Sequence, residues 1–193
     1  MAKKNYEFRP DKTGPGILSR LYLTKLQRLS LLKWLLYSLV LLVLSVLQDV
    51  LLCRVDIFGA TTDLVPCAIF IVCILEGVEH GSLFCLISAL VYLFSGSSPG
   101  YHVLVLLPFL GVGAGVFRQS LLRKSFGSTL LCTGVATVIY ELAIYAMALF
   151  LNQTHTGRFH VALITTGLTL AAVPILYPIL VSIGKIGGET WKE

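Results

Sequence analysis

Charge is scarce in this chain. Asp, Glu, Lys and Arg together make up 13% of its 193 residues while hydrophobic residues make up 56%, whereas a typical soluble domain is roughly 25% charged. No soluble core could absorb that much apolar surface, so the composition excludes a water-soluble globular domain and implies a membrane protein. The signatures of catalysis are missing as well. There is no HExxH and no Cys/His cluster at zinc-site spacing; Gly96-Ser97-Ser98-Pro99-Gly100 spells GxSxG, but it lies between two apolar segments without the strained elbow of a Ser/His/Asp arrangement, and the four histidines, His80, His102, His155 and His160, fall at or near expected loops. A metal-dependent or serine hydrolase is therefore not indicated, and the chain is expected to be no enzyme and to carry no cofactor. The five cysteines, Cys53, Cys67, Cys73, Cys85 and Cys132, include no CxxC and are odd in number, which points to small, reduced, buried side chains. A cleavable signal is not expected either, because the basic stretch at the start is too long and the next apolar run has no small-x-small pattern.

What the chain does have is a series of long apolar runs with its charge distributed unevenly between them. Eight of the fifteen Lys and Arg residues, from Lys3 to Lys33, precede Trp34. Membrane segments are expected near residues 32–52, 58–77, 81–97, 101–118, 127–151 and 161–183, each judged against the roughly 20 apolar residues needed to cross about 30 Å of hydrocarbon. With six crossings, thirteen Lys and Arg lie on the side of the amino terminus and two, Arg54 and Arg158, on the other. The positive-inside rule then places both termini in the cytoplasm. The short second and third segments, joined across Glu76 to Gly81 without a basic residue, are also compatible with a re-entrant hairpin; two full spans are preferred. The expected organisation is a basic cytoplasmic tail over 1–33, a six-helix membrane domain over 34–184 and a cytoplasmic tail over 185–193. Within the first tail, residues 16–30 show helical spacing and read either as an amphipathic helix in the interface or as the ragged start of the first span. The basic residues track one membrane side without interleaved aromatics, so anionic lipid head groups are the expected partner and nucleic acid is not.

Glu141 stands well inside the fifth apolar segment, where a carboxylate costs roughly 2.5 kcal/mol or more unless paired or protonated. Gly134, Thr137 and Tyr145 share its helical face. An ion, proton or ligand site is one reading; a protonated Glu hydrogen-bonded to a neighbouring helix is preferred, since no second acid or buried base is obvious nearby. Gln48 and Asp49, with Arg54, Asp56 and Asp63, lie close enough to the outer interface to be hydrated. Asp63 followed by Pro66 reads as a helix start, with the carboxylate as N-cap acceptor and the proline in the first turn. Gly111 and Gly115, with Gly113 between them, do not complete a nucleotide-binding glycine pattern. Four residues apart, they line one face and permit close helix packing, against this chain or against a partner. Thr165, Thr166 and Thr169 precede Pro174 and Pro178 in the last segment, where hydroxyls or neighbouring helices can satisfy the carbonyls that proline frees.

Two stretches carry a resemblance. Leu47-Gln48-Asp49 runs through Ile57-Phe58-Gly59-Ala60 to Asp63-Leu64-Val65-Pro66, and Ser95-Gly96-Ser97-Ser98-Pro99-Gly100 follows the third segment. With these, the chain resembles the rod shape-determining protein MreD family over roughly residues 35–180. The family's Asp-x-x-Pro helix start is matched by Asp63 and Pro66, its Gly-x-x-x-Gly by Gly77 and Gly81, its Ser-Gly turn by Ser95, Gly96 and Gly100, and its glycine-bearing span by Gly111 and Gly115. Family members commonly carry an Asp shortly before that turn, a position held here by Tyr92.

The resemblance implies a non-enzymatic component of the bacterial cytoplasmic membrane, acting in rod elongation and peptidoglycan synthesis. Its partners would be an MreC-like protein, the cell-wall synthases and the actin-like MreB filament. In fold the family is similar to the six-helix substrate-binding subunits of energy-coupling-factor vitamin transporters, which makes such a subunit the alternative. Those subunits usually carry an Ala-x-x-x-Ala face on the first helix, and Trp34-Leu35-Leu36-Tyr37-Ser38-Leu39-Val40 has none.

Overall fold

The computed structural model describes residues 25–50, 52–54, 59–96, 98–121 and 125–187. Among these the chain is all-helical, with no strand and six α-helices: α1 (Lys25–Val50), α2 (Leu64–Glu76), α3 (Val78–Ser95), α4 (Val103–Leu121), α5 (Phe126–Phe150) and α6 (Phe159–Gly184). All but α2 are long and apolar enough to cross a bilayer. The expected segments and the helices coincide to within a few residues except at two places. Residues 25–30 are the first turns of α1, so the division between tail and membrane domain drawn at residue 33 falls inside a helix. The tail over residues 1–24, with most of the expected interfacial helix, lies outside the described residues, as do Asp56, Arg123, Lys124 and residues 188–193.

The second exception is α2. A segment expected over 58–77 is a helix of only 13 residues, about 20 Å long at 1.5 Å per residue, against the 30 Å or so of hydrocarbon. The reason lies in its sequence and surroundings. LVPCAIFIVCIL is apolar on every face, the mark of a helix enclosed by protein, and every residue from Leu64 to Leu75 is buried. All five other helices pack against it. A helix that meets no lipid can be short, provided that protein groups satisfy the polar backbone at its ends.

Contacts along the bundle show that successive helices alternate in direction. Lys33 of α1 meets Glu76 at one end of α2, and Gln48 meets Asp63 at the other. The chain turns back into α3 through Gly77 alone, at φ 86°, a left-handed conformation that glycine adopts without steric penalty. Tyr92, near the end of α3, returns to Asp63. Arg118, near the end of α4, reaches the carbonyl of Ile74. The α2–α3 turn therefore sits at the level where α1 enters and α4 leaves, and both helices run between the two ends of the bundle. Along α6, the hydroxyls of Thr166 and Thr169 bond to the carbonyls of Ala162 and Thr165, which precede the turn freed by Pro174.

Candidate functional site

One stripe of α1 organises both ends of the central helix. Lys33, Tyr37, Leu41, Leu44 and Gln48 are all buried and recur every three or four residues, so they share a face. Its middle is apolar and packs along α2; its two extremes are polar and meet the two termini of α2.

At the Glu76 end the polar groups close on one another. Lys33 Nζ lies 2.6 Å from Glu76 Oε2, and the Tyr37 hydroxyl donates to Oε1 at 2.8 Å. The Arg118 guanidinium donates to the Ile74 carbonyl in the last turn of α2. Two cations thus face the negative end of the helix dipole, where positive charge is favoured. Lys33, counted from the sequence among residues available to anionic head groups, is only 8% exposed and committed to Glu76.

At the Asp63 end the cap comes from another helix. Gln48 Oε1 accepts from the backbone N–H groups of Leu64 and Val65 at 3.0 and 3.1 Å, while its Nε2 donates to Asp63 Oδ1 at 2.6 Å. Asp63 holds the N-cap position but its carboxylate makes no capping bond, a departure from the expected role. It accepts instead from Gln48 and from the Tyr92 hydroxyl at 2.9 Å. Its own N–H donates to Thr169 Oγ1 at 3.2 Å. Gln48 can do this because the chain before α2 brings the free N–H groups of the first turn, the orphan donors of any helix, beside the buried face of α1. Tyr92, in the position where the family resemblance carries an acid, is fully buried and supplies a donor.

Below this cluster is a cavity of about 230 Å³. Thr61, Thr62 and Asp63 line it from the approach to α2, Gln48 from α1 and Pro99 from the α3–α4 turn, with Glu141, Ile144 and Thr165 completing it from α5 and α6. The structure thus brings to Glu141 the second acid that the sequence did not reveal. Glu141 is 9% exposed. Among the described residues the ion pair is Lys33–Glu76, and no hydrogen bond from any of them reaches the Glu141 carboxyl. A second cavity of about 230 Å³ shares Glu141, Ile144 and Thr165 and has Tyr145 and Arg158 on its far wall.

The expected stripe around Glu141 is only partly brought together. Thr137 is buried, but its hydroxyl bonds to the carbonyls of Thr133 and Gly134 in its own helix. The Tyr145 hydroxyl donates to the His155 carbonyl at 3.4 Å, and its ring packs edge-on against Phe159. Neither hydroxyl bonds to Glu141, and among the described residues no neighbouring helix supplies the hydrogen bond expected for its carboxyl.

The glycines fall into place as packing elements. A Cβ on Gly81 would meet the backbone of Cys73 at 2.8 Å, one on Gly111 the sulfur of Cys85 at 2.7 Å, and one on Gly115 Val78 at 3.5 Å. The face shared by Gly111 and Gly115 is occupied by α2 and α3 of the same chain. Gly113 points the other way, with nothing within 4 Å of an added Cβ, into an apolar groove of about 710 Å³ between α4 and α5. Pro66 is buried in the first turn of α2, and Gly96 and Gly100, both at positive φ, shape the α3–α4 turn after Ser95. Cys67, Cys73, Cys85 and Cys132 are buried free thiols; among the described residues no three His, Cys, Asp or Glu side chains cluster as metal ligands would.

Gln48, expected to be hydrated, is instead buried and committed to Asp63 and the first turn of α2, and sequence reasoning gave Lys33, Tyr92 and Arg118 no part in a site. For Lys33 and Gln48 a signal existed, their register with Tyr37, Leu41 and Leu44 on one helical face. No family model matches the chain, and neither a curated protein nor a solved structure matches it.

Proposed function

We propose that this chain is a non-enzymatic membrane adaptor of the bacterial rod-elongation machinery, similar in role to MreD, with both termini in the cytoplasm. It would link an MreC-like protein and the cell-wall synthases to the cytoplasmic MreB filament. The observation that supports the reading is the convergence of the residues that carry the resemblance. Asp63 and Pro66 begin α2, Gly77 turns it into α3, and Gly81, Gly111 and Gly115 allow α2, α3 and α4 to pack closely around Cys73.

Such an adaptor works by lateral contact, because the described residues form helices with short connections and no soluble domain. The Gly111–Gly115 face is used internally, so a partner's transmembrane helix is assigned to the groove floored by Gly113 and flanked by Phe109 and Phe117. Interfaces between membrane helices favour small residues of this kind. In a rod-shaped host, deletion of the gene is expected to give rounded cells, and the Gly113→Leu protein, normally folded, to restore shape poorly and to retain less of an MreC-like partner on purification. Rods in the deletion strain, with no redundant copy, would remove the adaptor role. The cavity beside Glu141 is the one observation favouring the alternative, a substrate-binding subunit of a vitamin transporter; co-purification with an ATPase module and a retained vitamin would decide for it.

A further inference from the structure

The cavity between Asp63 and Glu141 is lined by carboxyls and hydroxyls. Asp63, Glu141, Thr61, Thr62 and Thr165 line it, and among the described residues no Lys, Arg or His does. The Gln48 amide is spent, its oxygen on two backbone N–H groups and its nitrogen on Asp63. Among the described residues Glu141 has no hydrogen-bond or ion-pair partner although it is more than nine-tenths buried. A buried carboxyl in membrane protein is costly to leave unpaired, and the threonine hydroxyls beside it, which can donate as well as accept, bring it no positive charge. Arg158 lines the neighbouring cavity and makes no ion pair with it.

The size of the space and its donor set define what would fit. Two carboxyls do not amount to a metal-ligand cluster, and 230 Å³ holds several water molecules, far more than a bare ion needs. The acceptors also come from three directions: the chain entering α2, α5 and α6. A planar guanidinium suits a fork of acceptors on one side, whereas an ammonium presents three donors that diverge. We propose that this cavity binds the primary ammonium group of a small organic amine or of a lysine side chain supplied by a membrane partner, held between Glu141 and Asp63 with the Thr165 hydroxyl as a third acceptor. The proposal does not depend on the adaptor reading.

The purified chain in detergent is the test. Ethylammonium chloride should raise its thermal unfolding midpoint in a saturable way, because a ligand that binds only the folded state stabilises it. Tetramethylammonium chloride at equal concentration, with the same charge and no N–H donor, should not. Glu141→Gln should weaken ethylammonium binding about tenfold or more and Thr165→Val about threefold, the losses expected for an ionic and a neutral acceptor. Both variants should fold, since neither side chain supports a bond that holds the helices. Arg158→Ala removes a repelling charge and should tighten ethylammonium binding; weaker binding there would show that Arg158 supports the site instead of opposing a cation and would overturn the proposal. So would equal stabilisation by tetramethylammonium, no response to ethylammonium, or unchanged affinity in Glu141→Gln. The source is read in native membranes with a water-soluble carbodiimide. The reagent activates the Glu141 carboxyl, the bound amine displaces it as the urea, and an amide remains. A small mass increment at Glu141 identifies a free amine, and a peptide cross-linked through lysine identifies a partner; no amide at Glu141 in membranes that hold either source would count against the proposal.

Discussion

The two ends of α2 solve one problem in different ways. Both are buried and both present backbone groups that lipid cannot satisfy. At the Glu76 end, carboxylate, ammonium, phenol and guanidinium close on each other and on the helix carbonyls. At the Asp63 end a neutral amide supplies the cap, and the Glu141 carboxyl of α5 is left facing a cavity. A carboxylate closed by an ammonium and a phenol marks an end built to hold the bundle; a carboxyl left facing a cavity marks the end where something else can bind.

The sharpest way to test that contrast is to cut the closed end. Lys33→Ala leaves Glu76 buried without its counter-charge and should destabilise the fold by about 3–5 kcal/mol, the usual cost of removing one member of a buried pair. Lys33→Met combined with Glu76→Leu should recover most of that loss, because it removes both charges together. Equilibrium unfolding in mild detergent measures both. If Lys33→Ala were as stable as the parent, the ion pair would be a surface contact and the closed end would lose its meaning.

A smaller effect is expected at the open end. Gln48→Leu strands the N–H groups of Leu64 and Val65 and takes one of two donors from Asp63, for a loss of about 2–3 kcal/mol. Gln48→Glu keeps the cap oxygens but sets a second carboxylate against Asp63, and should not rescue it. Equal losses from Lys33→Ala and Gln48→Leu would erase the distinction between the ends.

Much of the architecture is legible in the sequence. Six apolar segments, an all-helical bundle and the helix start at Asp63 and Pro66 follow from run length, composition and turn chemistry. The shortness of α2 is hidden because Ile57, Phe58 and Ala60 extend the apolar run beyond the helix, and hydropathy does not distinguish an enclosed helix from one that meets lipid. Lys33 and Gln48 can be found from their register with Tyr37. The pairing of Asp63 with Tyr92, or the approach of Asp63 to Glu141, cannot, since residues 29 and 78 positions apart are joined only by how helices pack. The glycines teach the same lesson. Spacing shows that Gly111 and Gly115 share a face, while only packing shows that the face is filled by Cys85, Cys73 and Val78.

That packing separates two glycines two residues apart. Gly111→Ala places a methyl group 2.7 Å from the Cys85 sulfur, and overpacking of this kind costs about 1–3 kcal/mol. Gly113→Ala meets nothing within 4 Å and should be neutral or stabilising by up to about 1 kcal/mol through helix propensity. Thermal unfolding of the two single variants checks the sign of each. Similar losses in both would mean that α4 is rotated from the orientation described.

The smallest effect on stability is expected at Glu141 itself. A residue that held helices together through its carboxyl would be missed when replaced, and the cost would fall between a lost bond and a stranded donor. Glu141 receives no hydrogen bond from a described residue and borders open space on two sides, so Glu141→Gln should cost no measurable stability, and any change should be a gain from removing an unpaired buried carboxyl. Glu141→Leu should also fold, because the methyl groups have room in the cavity and no donor is abandoned. Unfolding of the ligand-free protein measures this directly. A loss above about 2 kcal/mol in either variant would show that the carboxyl closes its end of the bundle as Glu76 closes the other, and the difference between the two ends of α2 would disappear.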